Sequence, residues 1–439
     1  MPKLKKDLSL FGLIMIVIGS VIGSGIFLTP SQIAGHLSTP ASIMLVWCFG
    51  GFIALTGALT YGELGGMFPK TGGVYVYLKE AYGDFIAFMY GWAYFTVIMS
   101  GTVAALAIAF SSYMGYIFEM SSFQKSALSV IVVIIVSVIN IFRVKLVEMF
   151  TSTFSIMKLL GIALIIFVGL FFGNYETMKI NEVVSNTKTE SNFISAFGLA
   201  LIGVLWSFGG WHHASFLSGE AKNANKNIPR AMIIGTMLVL IVYLLTNAAY
   251  MFLMTITEMA QSESLASDAL SKIIPVGGIL IAIIILISTF GTALVGSLTG
   301  PRLYLAMAND GLFFRKLSQI HPKSNTPVNA IIAQGIWAII ILLLWGTFEA
   351  VITYVVFIDW IFFFLTGFIV LIFRVKRKDA DRPYKTPLYP LTPIIFIIIS
   401  FLFVVNTLVG NILYAGAGLA LLILGSPFYF YFKQKQKNK

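Results

Sequence analysis

The sequence predicts an all-α integral membrane protein, and three observations support that fold class. Hydrophobic residues make up 58% of the 439 residues and charged residues only 11%, whereas soluble domains carry about 25% charged residues. The apolar residues fall into runs of about 20, the length of a helix that crosses the hydrocarbon core of a bilayer. The Lys and Arg residues concentrate in alternate connections between these runs. We therefore expect a single transmembrane domain over residues 1–439.

The apolar runs predict twelve transmembrane helices. The first run follows Lys3, Lys5 and Lys6, but it is too long for the core of a secretory signal and no small-residue cleavage site follows it. We expect it to be retained as the first span. The predicted spans are residues 8–35, 41–66, 84–115, 126–142, 150–173, 192–219, 229–255, 275–308, 327–346, 350–373, 390–408 and 411–432.

The basic residues predict the orientation of these spans. With a cytoplasmic N-terminus, the cytoplasmic segments hold 24 of the 29 Lys and Arg residues, the external segments hold four, and Lys158 lies within a span. Cytoplasmic loops of membrane proteins carry such an excess. We expect a multi-pass protein of the plasma (inner) membrane with both termini cytoplasmic. The net charge of +11 suits anionic lipids of the cytoplasmic leaflet, so it does not indicate a nucleic-acid partner.

Two spans contain glycine clusters that favour an interruption of the helix. The first span includes Gly19, Gly23 and Gly25, and the sixth includes Gly209 and Gly210. Glycine accommodates unwound backbone at low steric cost. Such backbone is tolerated at membrane depth only where protein or a water-filled cavity surrounds it. Close helix packing is the alternative explanation, because the first two of these glycines form a small-xxx-small pair.

The two clusters take corresponding positions if the chain consists of two five-helix halves of opposite orientation. Broken helices at corresponding positions of an inverted repeat locate the substrate site of a transporter. Half-helix N-termini offer N–H groups to a carboxylate, and unwound segments offer carbonyls to an ammonium. Neither cluster contains Asp, Glu, Lys or Arg. We therefore predict a neutral site built from backbone, which suits the zwitterionic end of an amino acid.

Four segments resemble the L-amino acid transporter (LAT) family of the amino acid–polyamine–organocation (APC) superfamily. They are GSGIF at 23–27, PKTGGVYVY at 69–77, the segment from SGEAKN to NIPRA at 218–231, and RPYKTPLYP at 382–390. The resemblance covers nearly the whole chain. It implies a LeuT-type fold with inverted repeats at 8–173 and 192–373, broken helices one and six, and two additional helices at 390–432. It also implies sodium-independent amino acid transport by alternating access, usually as exchange.

The resemblance further implies a substrate site. The substrate carboxylate would meet the backbone around Ser24, and the ammonium would meet carbonyls of both interrupted helices. Trp206 would close over the substrate, and Gly209 would limit the volume of the substrate side chain. The large Trp206 and the polar Ser207 favour small neutral amino acids such as alanine or serine. The predicted substrate-binding residues are Val21, Ile22, Gly23, Ser24, Gly25, Ile26, Trp206, Ser207 and Gly209.

Three further residues are predicted to act in coupling or gating. Lys158 could extend along its helix to the inner interface. The resemblance instead implies that its ammonium stands near the sodium position of sodium-driven relatives, which would explain sodium independence, whereas a proton-coupled variant would need it to titrate. Tyr243 matches a family tyrosine near the inner gate. Asp359 lies roughly 15 Å into span ten and departs from the family, in which a neutral polar residue is usual. Its role stays open among structural hydrogen bonding, proton coupling and an effect on substrate charge.

The remaining candidates indicate neither an enzyme nor a metal protein. His212 and His213 are adjacent, so they point to different sides of a helix and make a poor metal pair. We expect no cofactor, and no nucleophile–base constellation is present in the sequence. Residues 113–128, where human family members carry the cysteine that joins a glycoprotein heavy chain, contain none, so no disulfide-linked heavy chain is expected. The alternatives are a proton-coupled amino acid importer, an amine or polyamine antiporter of the same superfamily, and a transport-dead nutrient sensor.

Overall fold

The computed structural model describes residues 6–142, 144–174, 177, 193–345, 348–410 and 412–437. Within these ranges the regular secondary structure is helical, apart from a β-bridge between Leu8 and Ala221. The all-α prediction is therefore confirmed. A helix satisfies the backbone hydrogen bonds of its own segment, as a lipid-exposed chain must.

Eighteen α-helices are described in these ranges. They are α1 Leu10–Val21, α2 Gly25–His36, α3 Pro40–Met67, α4 Val74–Tyr82, α5 Asp84–Ala93, α6 Met99–Ile117, α7 Ser122–Ile141, α8 Val144–Phe172, α9 Phe193–Ser207, α10 Ala224–Leu253, α11 Ile256–Gln261, α12 Leu265–Ser271, α13 Gly277–Asn309, α14 Val328–Trp345, α15 Phe348–Lys376, α16 Leu391–Gly410, α17 Ile412–Ile423 and α18 Gly425–Lys437. A π-helical turn, Tyr94–Ile98, joins α5 to α6, and 3₁₀ helices cover His213–Glu220 and Arg315–Ser318.

Ten segments of the described chain are long and apolar enough to cross a membrane. Two shorter apolar helices, α9 and α14, lie where the sixth and ninth spans are predicted. Within the sixth predicted span, 192–219, the α-helix ends at Ser207, two residues before Gly209, where the glycine pair predicts an interruption. Six basic residues used to predict the orientation lie outside the described residues: Lys3, Lys5, Arg143, Lys179, Lys188 and Lys439.

The two halves of the first span have different neighbours. Helix α1 packs against α8, α10 and α13, whereas α2 packs against α9 and the short helices α11 and α12. Helix α3 makes its most extensive contact with α10, and α15 lies against α16, α6 and α3. The interruption between α1 and α2 therefore lies inside the bundle, surrounded by protein.

Buried ion pairs fix the end of the bundle that carries most of the basic residues. Arg302 donates from Nε to Glu220 Oε1 at 2.8 Å, with both side chains at most 1% exposed. Glu63 accepts from Arg374 at 2.8 Å and from Arg382 at 3.1 Å. The β-bridge at Leu8 holds the start of the described chain next to Glu220, because Leu8 N donates to Glu220 O at 3.0 Å.

A capped turn forms the connection at the opposite end of α10. Thr255 and Glu258 form a capping box at the start of α11, and Lys272 donates to Glu258 at 2.7 Å. Burial acts to raise the pKa of Glu258, but the hydrogen bonds from Lys272 and Thr255 outweigh it and hold the pKa below its ordinary value of 4.5. The charged and hydrogen-bonded groups around Glu258 thus stabilise this connection.

Candidate substrate site

The first predicted span is interrupted at residues 22–24. Helix α1 ends at Val21, and Ile22 is extended with φ −76° and ψ 91°. Helix α2 begins at Gly25, so its first N–H groups have no carbonyl to bind within their own helix. Ser24 O accepts from the N–H of Phe27 and of Leu28. Free N–H groups at the start of α2 and free carbonyls at the end of α1 thus lie within a few residues of each other.

Lys158 supplies donors to the free carbonyls of α1. Its ammonium is 0% exposed and donates to Gly19 O at 3.0 Å, to Ile22 O at 2.5 Å and to Thr292 Oγ1 at 3.1 Å. Thr292 Oγ1 lies 2.9 Å from both carbonyl oxygens, and Ser288 Oγ is 3.3 Å from Ile22 O. Lys158 therefore does not extend to the membrane interface. It places a buried amino group at the interruption.

Tyr243 connects the ends of the two interrupted helices. Its hydroxyl lies 3.0 Å from Val21 O, at the end of α1, and 3.0 Å from Ser207 O, at the end of α9. Its ring packs edge-on against Trp47, with 5.4 Å between ring centroids, and also contacts Phe208. The hydroxyl is thus held where it can serve both carbonyls.

The start of α2 lies directly on the end of α9. A methyl group added at Gly25 would lie 2.7 Å from the Cα atom of Ser207. Thr29 Oγ1 is 2.9 Å from both Gly25 O and Ser207 Oγ. Gly25 therefore permits a backbone approach that a side chain would prevent.

A cavity of about 60 Å³ lies between these interruptions and α15. Of the predicted site residues, Val21, Gly23, Ser24, Gly25, Trp206, Gly209 and Asp359 line it. Ile22, Ile26 and Ser207 do not line it, nor do Lys158 and Tyr243, which act on the backbone behind it. Its other lining residues include Ser20, Ala54, Thr292, Trp211, His213, Val356, Trp360 and Phe363.

The cavity offers groups that suit a small zwitterion. Ser24 Oγ is buried without a hydrogen-bond partner among the described residues, next to the N–H groups at the start of α2, where the helix dipole favours an anion. Val21 lines the cavity, and its carbonyl oxygen accepts from Tyr243 and retains a second lone pair. Ile22 O accepts from Lys158 and Thr292, so it is engaged within the protein.

Two side chains give the cavity a polar face that the glycine clusters do not predict. Asp359, from α15, is partly exposed towards the cavity, and its Oδ1 atom has no hydrogen-bond partner in the described part of the chain. His213 lines the cavity and bonds through Nδ1 to Ser20 Oγ. The only sequence signal for this role of His213 is its position three residues after Gly210. No group of three or more potential metal ligands occurs among the described residues.

An all-helical membrane protein with a small cavity between two interrupted helices has the architecture of a transporter. The chain matches the amino acid permease family over residues 8–425. It therefore belongs to this family of the APC superfamily, and the resemblance to LAT transporters is confirmed.

The relatives are named transporters or exchangers. The chain is 33% identical to the serine/threonine exchanger SteT of Bacillus subtilis (strain 168) over 432 residues, which cover 97% of each chain. It is 31% identical to the human b(0,+)-type amino acid transporter 1 over 433 residues, 97% of this chain and 88% of the relative. It is 31% identical to the human large neutral amino acids transporter small subunit 2 over 440 residues, 99% and 81% of the two chains. These findings confirm that the chain belongs with transporters and not with enzymes.

Proposed function

We propose that this protein exchanges small neutral L-amino acids across the plasma membrane, independently of sodium, by alternating access. The observation that supports this proposal most directly is the position of Lys158. Its ammonium bonds the carbonyls of Gly19 and Ile22. This contact supports the proposal that a positive charge of the protein itself takes the place that a sodium ion holds in sodium-driven relatives. A carrier with this charge built in needs no sodium to complete its site.

The size and chemistry of the cavity support a small neutral substrate. Ligand pockets for drug-sized molecules enclose about 300–1,000 Å³, whereas this cavity has about 60 Å³. Trp206, Trp211 and Trp360 form part of its wall and leave room for a short side chain. We propose that the substrate carboxylate binds at Gly23–Gly25 and its ammonium at the carbonyl of Val21.

We further propose a LeuT-type arrangement of twelve spans. The interruptions at α1–α2 and after α9 support inverted repeats at 8–173 and 192–373. Two additional spans over 390–432 would be formed by α16 and by α17 together with α18. The concentration of basic residues in alternate connections supports cytoplasmic termini. The absence of cysteine from 113–128 supports transport without a disulfide-linked heavy chain.

The test uses liposomes that contain the purified protein and are preloaded with alanine. Uptake of labelled alanine is measured with sodium and the pH gradient each removed in turn. Exchange predicts uptake that requires internal amino acid and is unchanged when either sodium or the pH gradient is removed. The variant Lys158→Met should reduce this uptake at least about tenfold, since charge-assisted hydrogen bonds to the first helix are lost. Sodium-dependent uptake by the wild-type protein would contradict the proposal.

A proton-coupled importer is the second candidate, favoured by the carboxyl group of Asp359 in the cavity. It predicts uptake into empty vesicles that is driven by an inward proton gradient. Exchange predicts no accumulation under that condition. The same preparation therefore separates the two functions.

A further inference from the structure

Asp359 is an acidic side chain in the cavity for which the described protein provides no positive partner. It lies in the middle of α15, lines the cavity and is partly exposed towards it. Its Oδ1 atom is buried without a hydrogen-bond partner, and it forms no ion pair with another described residue. Lys158, the buried cation of the site, is committed to Gly19, Ile22 and Thr292.

The groups that face Asp359 do not neutralise it. Tyr61 from α3, and Tyr90 and Tyr94 from the helix and π-turn at 84–98, lie within electrostatic range. Their phenol groups carry no positive charge that could pair with a carboxylate. From the segment after α9, His213 lines the same cavity but bonds to Ser20, and the nitrogens of His212 are buried without partners among the described residues.

Charged side chains elsewhere on the packed elements are already paired. Helices α6, α16 and α17 contain no Asp, Glu, Lys, Arg or His. The ion pairs on α3 and α4 lie at the ends of their helices: Glu63 with Arg374 and Arg382, Glu80 with Arg377, and Lys79 with Asp310.

An unpaired carboxylate in the membrane interior is unfavourable, and such groups usually pair or accept a proton. Asp359 faces the same space as the proposed substrate. The positive partner that the described residues do not provide can therefore come from the cargo.

On the basis of the proposed function, we propose that Asp359 binds one positive charge in every loaded state of the carrier. Beside a neutral substrate that charge is a proton. With a short diamino acid it is the side-chain ammonium, which takes the place of the proton. The protein would thus accept short cationic amino acids as well as neutral ones. Because the cavity is small, the length of the side chain would decide which cationic amino acids can bind.

The proposal fixes the balance of heteroexchange. When alanine leaves the vesicle, one proton leaves with it on Asp359 and is released outside. When 2,4-diaminobutyrate enters, its side-chain ammonium pairs with the ionised carboxylate and no proton returns. One positive charge moves in each direction, so the exchange is electroneutral and the vesicle interior becomes alkaline.

The experiment follows both cargoes in one preparation. Vesicles are preloaded with alanine and a pH-sensitive dye, and valinomycin with equal potassium on both sides removes the membrane potential. Labelled 2,4-diaminobutyrate or labelled alanine is then added outside. The expected result is diaminobutyrate uptake with alkalinisation of the interior, one proton lost per molecule taken up, and no pH change during exchange of alanine for alanine.

Two variants test the residue. Asp359→Asn should lower the ratio of diaminobutyrate to alanine uptake by about tenfold or more, because a charge-assisted hydrogen bond is lost, and should abolish the pH change. Thr366→Val is the matched control: it removes a buried polar group two turns further along α15 and should leave the ratio unchanged.

Each outcome decides a separate point. Diaminobutyrate uptake without alkalinisation would overturn the inference, as would alanine exchange that diaminobutyrate neither joins nor inhibits. Both leave the proposed exchange of neutral amino acids intact. Failure of the wild-type protein to exchange alanine for alanine would instead refute the proposed function. If Asp359→Asn does not fold, the wild-type pH measurement still decides the inference.

Discussion

Replacing Tyr243 with Phe removes one hydroxyl from the point where the two interrupted helices meet. The ring is fully buried, and its contacts with Trp47 and Phe208 do not involve the hydroxyl. The variant therefore keeps the packing and deletes only the donor that lies 3.0 Å from Val21 O and 3.0 Å from Ser207 O.

The magnitude follows from the number of bonds lost. A hydroxyl has one proton, so it completes one full hydrogen bond at a time, shared between two carbonyls. A buried acceptor left unsatisfied costs about 1–3 kcal/mol, which corresponds to a factor of about 5 to 150 in an equilibrium constant. The hydroxyl also holds the carbonyl of Val21 where the substrate ammonium is proposed to bind. We therefore expect its loss to misplace that carbonyl and to lower the apparent affinity for alanine.

The assay is the concentration dependence of alanine exchange in preloaded vesicles. The matched control is Tyr250→Phe, which removes the same hydroxyl two turns further along α10. Its oxygen is 3.5 Å from Ile26 O, at the limit of a hydrogen bond, so its effect should stay within about twofold. Equal effects of the two substitutions, or a change in maximal rate with unaltered affinity, would refute the assignment of Tyr243 to the substrate site.

Three further tests concern the packing and the ion pairs. Gly25→Ala should abolish exchange, because its methyl group would lie 2.7 Å from backbone of α9, whereas Gly35→Ala, with nothing within 4 Å, should leave exchange unchanged. Glu220→Gln should lower the melting temperature, since it leaves Arg302 buried and unpaired at a cost of about 3–5 kcal/mol; adding Arg302→Met should recover most of that loss. Glu258→Gln should destabilise the protein by no more than about 1 kcal/mol at neutral pH. Because the pKa of Glu258 is lowered on folding, its stabilisation is present above pH 4.5 and is lost as the pH falls through the lowered pKa. The test compares the melting temperatures of the wild type and Glu258→Gln at neutral pH and at a pH below the lowered pKa. A difference in melting temperature that persists in acid would contradict this prediction.

The interruption of the first span and the burial of Lys158 could be predicted because both leave a signal in the sequence. Glycines at 19, 23 and 25 are unusual in an otherwise apolar run, and a lysine inside a span requires a partner. The partner itself, the carbonyls of α1, follows from the interruption. The family resemblance was needed to choose between this site and extension to the interface.

The other donors to α1 could not be predicted from the sequence. Thr292 bonds both to Ser288 O in its own helix and to Gly19 O in α1. The sequence of an apolar helix does not show whether a threonine hydroxyl bonds a carbonyl of its own helix or one of a neighbouring helix. Ile22 is predicted to bind substrate, but its carbonyl is engaged with Lys158. The sequence does not show which carbonyls of an interrupted helix are bound by other parts of the protein.

The glycine pair at 209–210 predicts the interruption of the sixth span, and α9 ends beside it at Ser207. The span is predicted as far as residue 219 because hydropathy does not distinguish an α-helix from buried irregular backbone. Residues 208–219 are largely buried and include a 3₁₀ helix, so their composition continues the apolar run. The proximity of Asp359 and His213 in one cavity is a long-range property of the fold. Neither periodicity nor composition relates residues so far apart in the chain.

The separate neighbours of α1 and α2 have a consequence for how the carrier moves. Each half of the first span is attached to its own group of helices, so a change between outward and inward states can rotate one group against the other about residues 22–24. Ser24 belongs to this hinge and also lines the cavity. Under the proposed alternating access, the dihedral angles that change at residues 22–24 are therefore those that position the proposed substrate contacts. A ligand bound there favours whichever hinge angle gives it the better contacts, so occupancy and conformation are linked without a separate trigger residue.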